Sequence, residues 1–167
     1  MYKNILVPLD GSGMAECSLE QAKEIATGCH VPEVTMLSVI EPSESNIPSD
    51  WDVGADTAQP QDVPKMEKER KELASVDERS MAAARNYLKR VADSFSKEGV
   101  NVKTEVMKGQ PAETILAYAE NNNVDLVILS SHGRSGKSRF DFGKVADKII
   151  RSSNIPLIVA SPPGCRV

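Results

Sequence analysis

The chain has 167 residues, 40% apolar and 26% charged, which is the balance of an ordinary globular domain rather than of a disordered or fibrous chain. Aromatics make up only 4%, so a core must be built from Val, Ile, Leu, Ala and Met. With 20 basic and 24 acidic residues the net charge is −4, which argues against a nucleic-acid partner, because such domains carry a basic face.

No apolar run approaches the roughly 18 residues needed to span a bilayer, so no membrane partner is expected. The stretch Met1–Pro8 carries no small-residue cleavage site. Cys17, Cys29 and Cys165 are odd in number and widely spaced, which argues against a disulfide framework or a zinc site. Together these features predict a reduced, cytoplasmic protein forming a single domain over 1–167.

The first element, Tyr2–Leu9, holds Ile5-Leu6-Val7 and stops at Asp10-Gly11-Ser12-Gly13, as a strand buried on both faces would. From Met14 to Gly28 the positions Ala15, Leu19, Ala22, Ile25 and Ala26 recur at helical spacing. Val34–Ile40 is a second strand, ended by Glu41-Pro42. Residues 41–64 carry prolines at 42, 48, 60 and 64 and read as a long, mobile loop. A long helix follows over Lys65–Lys97, with Leu73, Val76, Ala84, Leu88, Val91 and Phe95 as its buried stripe.

Val100–Lys108 alternates apolar and polar residues like an edge strand. Gly109-Gln110-Pro111 opens a helix whose buried face is Ile115, Leu116 and Ala119 and which ends at Asn121-Asn122-Asn123. Asp125–Ser130 is a fourth strand, 131–142 a Gly-, Ser- and Arg-rich loop, Gly143–Ser152 a short helix and Ile155–Ala160 a last strand. Strict alternation of strands and helices implies an α/β, three-layer sandwich: a parallel sheet with helices on both faces.

Ligands of such sheets bind beyond the strand carboxyl ends, where the strand order reverses. Two loops have the chemistry for that place: Asp10–Gly13 after the first strand and Ser131–Ser138 after the fourth. Glycines let backbone N–H groups approach a phosphate, and the following helix adds its positive end. Between Arg134 and Arg151 six basic residues face two acidic ones, a basic island in an acidic chain that suits a small anion. A solvated surface is the plain alternative. Generic fingerprints fail here. Gly136-Lys137-Ser138 ends a Walker-type loop, but its first glycine position is Ser131, and Glu16 stands where a dinucleotide fingerprint needs its third glycine.

Val7-Pro8-Leu9-Asp10-Gly11-Ser12, Gly109-Gln110-Pro111-Ala112, Ser131-His132-Gly133-Arg134-Ser135-Gly136, Phe142-Gly143 and Ile155–Val159 occur in an order and spacing that resembles the universal stress protein family. The resemblance covers the chain from Tyr2 to Ala160 outside the Pro-rich loop. It implies a five-stranded sheet of order 3-2-1-4-5, homodimerisation through Ile155–Ala160, and a stress-linked regulatory role with an unidentified protein partner. One branch of that family binds ATP through G-x-x-G, nine residues, then G-[ST]. Here Gly133 and Gly143 keep two of the glycines, while Ser130 replaces the first and Lys144 the closing Ser/Thr. The resemblance further implies that Asp10 contacts ribose or, indirectly, magnesium, and that backbone near Val39 holds adenine. The full expected nucleotide site is Pro8, Leu9, Asp10, Val39, Leu129, Ser130, His132, Gly133, Arg134, Ser135, Gly136, Gly143, Lys144 and Val145, with no catalytic residue and no resident metal. An adenine nucleotide held without fast turnover is the leading reading. A dimeric interaction module that has lost ATP, and a hydrolase or phosphotransferase using the same cleft, are the alternatives.

Overall fold

The computed structural model describes residues 2–43, 63–97, 99–131 and 142–160. Strands β1 (Asn4–Pro8), β2 (Glu33–Ile40), β3 (Val102–Lys108), β4 (Leu126–Ser130) and β5 (Leu157–Ala160) alternate with helices α1 (Gly13–Gly28), α2 (Val63–Ser96), α3 (Pro111–Asn121) and α4 (Lys144–Ser152). All strand pairs are parallel and the order is β3-β2-β1-β4-β5, as the resemblance implied. The α/β three-layer architecture is therefore present.

The three central strands read as unbroken apolar runs because both faces are covered. Ile5, Val7, Val34, Met36, Leu126 and Ile128 point toward α1 and α2, where Ala22, Ala26, Leu88 and Phe95 meet them. Leu6, Leu37, Val127 and Leu129 point the other way, against Ala112, Ile115 and Ala119 of α3 and Ala146 and Ile149 of α4. Fully burying each such Leu or Ile stabilises the fold by about 1.5–3 kcal/mol. The small residues of α1 let that helix sit close to the sheet. β3 is an edge strand, as expected, but its exposed positions, Lys103, Thr104, Met107 and Lys108, fall in adjacent pairs rather than in the expected alternation, so Thr104 is exposed. β5 forms the opposite edge.

Two expectations are corrected. The stripe of α2 includes Asp77 rather than Val76: Val76 is 48% exposed and Asp77 only 7%. Position 77 is in phase with 73, 84, 88, 91 and 95, and its carboxylate is claimed inside. Ser43 donates its backbone N–H to Asp77 Oδ1 at 3.0 Å, and Lys108 pairs with Oδ2. α2 begins at Val63, so the Pro-rich segment is two residues shorter than 41–64, and its residues 44–62 lie outside the described ones. Cys29 is free and exposed. Among the described residues no helix is long and apolar enough to cross a membrane.

Candidate nucleotide site

The strand order reverses between β1 and β4, which pair Ile5 with Leu126 and Leu6 with Val127. Their carboxyl ends leave the crevice in which ligands of open parallel sheets lie. Leu9 extends β1 by donating its N–H to Leu37 O at 2.8 Å, and its side chain is buried. The chain then turns sharply at Gly11, whose φ of +79° favours a residue without Cβ. Asp10 governs that turn. Its Oδ1 accepts from the Ser12 backbone N–H at 2.9 Å and from Ser12 Oγ at 2.6 Å. Ser12 Oγ in turn accepts from Ala15 N at 3.1 Å and caps α1. The Asx turn and a ligand role are compatible, because the turn fixes the carboxylate at the rim.

On the β4 side, Ser131 donates its N–H to Ala160 O, and Gly143 donates its N–H to Ser131 O, both at 2.9 Å. The second bond returns the chain to the end of β4 after the intervening loop. It sets Gly143 as the N-cap of α4, with no side chain capping the helix. The first-turn N–H groups of a helix have no intrahelical acceptor and carry partial positive charge. Lys144, exposed in that turn, makes no ion pair among the described residues. Lys148 pairs with Glu113, and Arg151 with Asp147 at 2.9 Å, so part of the basic island is ordinary exposed surface. Phe142, 50% exposed, and Val145, 37% exposed, add apolar surface at the same rim.

The expected site residues thus divide into groups. Pro8, Asp10, Val39, Ser130, Gly143, Lys144 and Val145 gather at one end of the sheet. The side chains of Leu9 and Leu129 belong to the core, so what they offer the rim is backbone. His132, Gly133, Arg134, Ser135 and Gly136 lie outside the described residues. Among the described residues no group of three His, Cys, Asp or Glu side chains gathers as a metal site.

Sequence reasoning missed the Asp77 cluster, which ties α2, the end of β3 and the exit of β2 together beside Val39. Hydrogen bonds from Lys108 and from Ser43 hold the Asp77 carboxyl at about 2, below its ordinary value. The only signal available was its phase on the α2 stripe. Tyr87 was missed as well: burial, reinforced by the nearby Glu16 carboxylate, pushes its phenol up.

The sequence profile of the universal stress protein family matches residues 1–161. Universal stress protein MJ0577 of Methanocaldococcus jannaschii is 30% identical over 160 residues, covering 95% of this chain and 94% of that protein. The solved structure of MJ0577 superposes with a TM-score of 0.75 over 98% of this chain and 99% of that one, at 27% identity. Universal stress protein UspA from Lactobacillus plantarum gives a TM-score of 0.74 at 24% identity, over 96% of this chain and 98% of that one. A universal stress protein solved in complex with cAMP shares the fold at a TM-score of 0.62 and 16% identity, over 96% of this chain and 98% of that one. The strand order, the Asp10 turn and a match that runs nearly end to end agree: the chain belongs to the universal stress protein family.

Proposed function

We propose that this protein binds an adenine nucleotide, ATP or a close relative, at the β1/β4 switch point and holds it without fast turnover, as a stress-response regulatory protein. One observation carries the reading: the bond from Gly143 N–H to Ser131 O brings the uncapped start of α4 back to the end of β4, at the same rim as the Asp10 turn. An anion there would accept from free N–H groups and complement the helix dipole. Asp10 would accept from a ribose hydroxyl. The β2 backbone near Val39 would hold the base, and Lys144 would neutralise phosphate charge. The family member solved with cAMP supports an adenine nucleotide as the ligand class.

The same reading includes a cytoplasmic homodimer through Ile155–Ala160. β5 is an edge strand whose Leu157, Ile158 and Val159 are only half buried, and such an edge is protected by pairing with a second copy. Ser130 and Lys144 depart from the ATP-binding pattern and favour the second reading, a dimeric interaction module without nucleotide. Protein purified without added nucleotide, equilibrated with about 1 mM ATP, desalted, denatured and chromatographed separates the two. Released adenine nucleotide is the expected result. Its absence contradicts the proposal and favours the interaction module.

A further inference from the structure

The buried stripe of α2 carries one ionic group. Asp77 is buried in phase with Ala84, Leu88 and Phe95, where an apolar residue would pack at least as well. Replacing a buried ion pair by well-packed apolar groups is often neutral or stabilising, so stability alone does not account for an aspartate there. What the carboxylate adds is direction. Its Oδ1 accepts the Ser43 backbone N–H at 3.0 Å, and its Oδ2 pairs with Lys108. Lys108 ends β3 in register with Ile40, the last residue of β2, and Gly109 donates its N–H to Ile40 O at 3.0 Å. The exits of β2 and β3 are thus fastened to each other and, through Asp77, to α2. Among the described residues no other hydrogen bond holds Glu41, Pro42 or Ser43.

The side chain of Val39 packs in the layer of α3 and α4, whereas α2 packs on the opposite face of the sheet. Asp77 therefore grips the β2 exit from behind. We propose that Asp77 is a positioning residue for the base end of the nucleotide site, a role that rests on the nucleotide reading above. With Lys108 it fixes the backbone that follows Val39, and so sets affinity for the adenine end of the ligand rather than for its phosphates. A binding constellation must be held to within about 0.5 Å by the groups around it. Released from Asp77, the exit is free to take other courses. If about a tenth to a fifth of the molecules keep the competent one, apparent affinity falls about five- to tenfold. The phosphate end, at Gly143 and Lys144, belongs to α4 and shares no residue with this clamp. Its affinity is left unchanged.

The test compares Asp77→Ala, Lys108→Met and Lys108→Arg with the wild type at a temperature where all are folded. Without ligand, hydrogen exchange at the Ser43 amide should accelerate at least about tenfold in Asp77→Ala, beyond any change at Leu6 and Ile128 in the middle of the sheet. Calorimetry should show ATP bound about five- to tenfold more weakly by Asp77→Ala, and about two- to threefold more weakly by Lys108→Met, which keeps the Ser43 bond. Inorganic tripolyphosphate, titrated alone, should bind both variants to within about twofold of the wild type. Lys108→Arg, which preserves the ion pair, should bind ATP as the wild type does. Three results overturn the proposal, each in its own way. Unchanged exchange at Ser43 shows that Asp77 does not hold the exit. Wild-type ATP binding that Asp77→Ala reproduces at full strength, or tripolyphosphate weakened in step with ATP, removes the positioning role and leaves the nucleotide site standing. Failure of the wild type itself to bind any nucleotide removes both.

Discussion

Replacing Lys144 with serine should move stability and nucleotide affinity in opposite directions. Lys144 is the first residue of α4, exposed and without an ion pair among the described residues, and Gly143 gives that helix end no side-chain cap. A cation in the first turn opposes the helix dipole at a cost of about 0.3–1 kcal/mol. Without ligand, Lys144→Ser should therefore stabilise the protein. In a domain of this size about 1 kcal/mol corresponds to roughly 2–4 °C, so the melting temperature should rise by about 1–4 °C. With a nucleotide in place the sign reverses, because the lysine now neutralises phosphate charge beside the N–H groups. For an exposed pair that contribution is on the order of 1 kcal/mol, or about fivefold in affinity. A compact ammonium can also stand in for part of the screening a divalent cation supplies. Wild-type binding should then change little when EDTA removes magnesium, whereas Lys144→Ser should become magnesium-dependent. Differential scanning fluorimetry without ligand and calorimetry with ATP, with and without EDTA, read the two signs. An unchanged melting temperature together with unchanged affinity and metal dependence would refute the reasoning and leave Lys144 an ordinary surface lysine.

Asp77 should govern part of the acid limb of stability. Its folded value of about 2 lies below the unfolded 3.8, so its contribution is complete above the unfolded value and is lost as pH falls through that window. Asp77→Asn should melt lower than wild type at neutral pH, and the gap should close between those two values; a gap that stays constant with pH contradicts the assignment. Gly109 has φ +156°, and a Cβ there would stand 2.5 Å from Thr114 Oγ1. Gly109→Ala should therefore cost about 1–3 kcal/mol in urea unfolding, and a neutral result would show that Thr114 simply moves aside. Light scattering at tens of micromolar, roughly the usual working range, should give twice the chain mass if β5 pairs with a second copy, and a monomer mass would contradict that pairing.

The layers of the fold were legible because apolar runs at β1, β2 and β4 and the 3.6-residue stripes of the helices follow directly from burial on both faces. Strand order was not. Periodicity says which face is buried but not which neighbour lies alongside, so the order came through the resemblance. The rim was half legible. Asp10 and Gly143 stand out as turn residues, and the structure puts Asp10 just past β1 and Gly143 back at the end of β4. The bond between Gly143 and Ser131 could not be foreseen, since nothing in a sequence says where a loop of this length returns. Val76 and Asp77 show the opposite failure. Hydrophobicity alone favoured the valine, but the helix phase and two partners, the Ser43 backbone N–H and Lys108, favoured the aspartate. Tyr87 likewise meets Glu16 only through tertiary packing of α2 on α1.

The account stands most directly on calorimetric titration of ATP, ADP and AMP into nucleotide-free protein, run in parallel on Asp10→Ala. The proposed function predicts saturable binding of at least one of them with a Kd between about 1 μM and 1 mM, weakened about tenfold by the substitution. No heat of binding from any of the three at millimolar concentration, or binding indifferent to Asp10, would contradict a nucleotide site at the β1/β4 switch point.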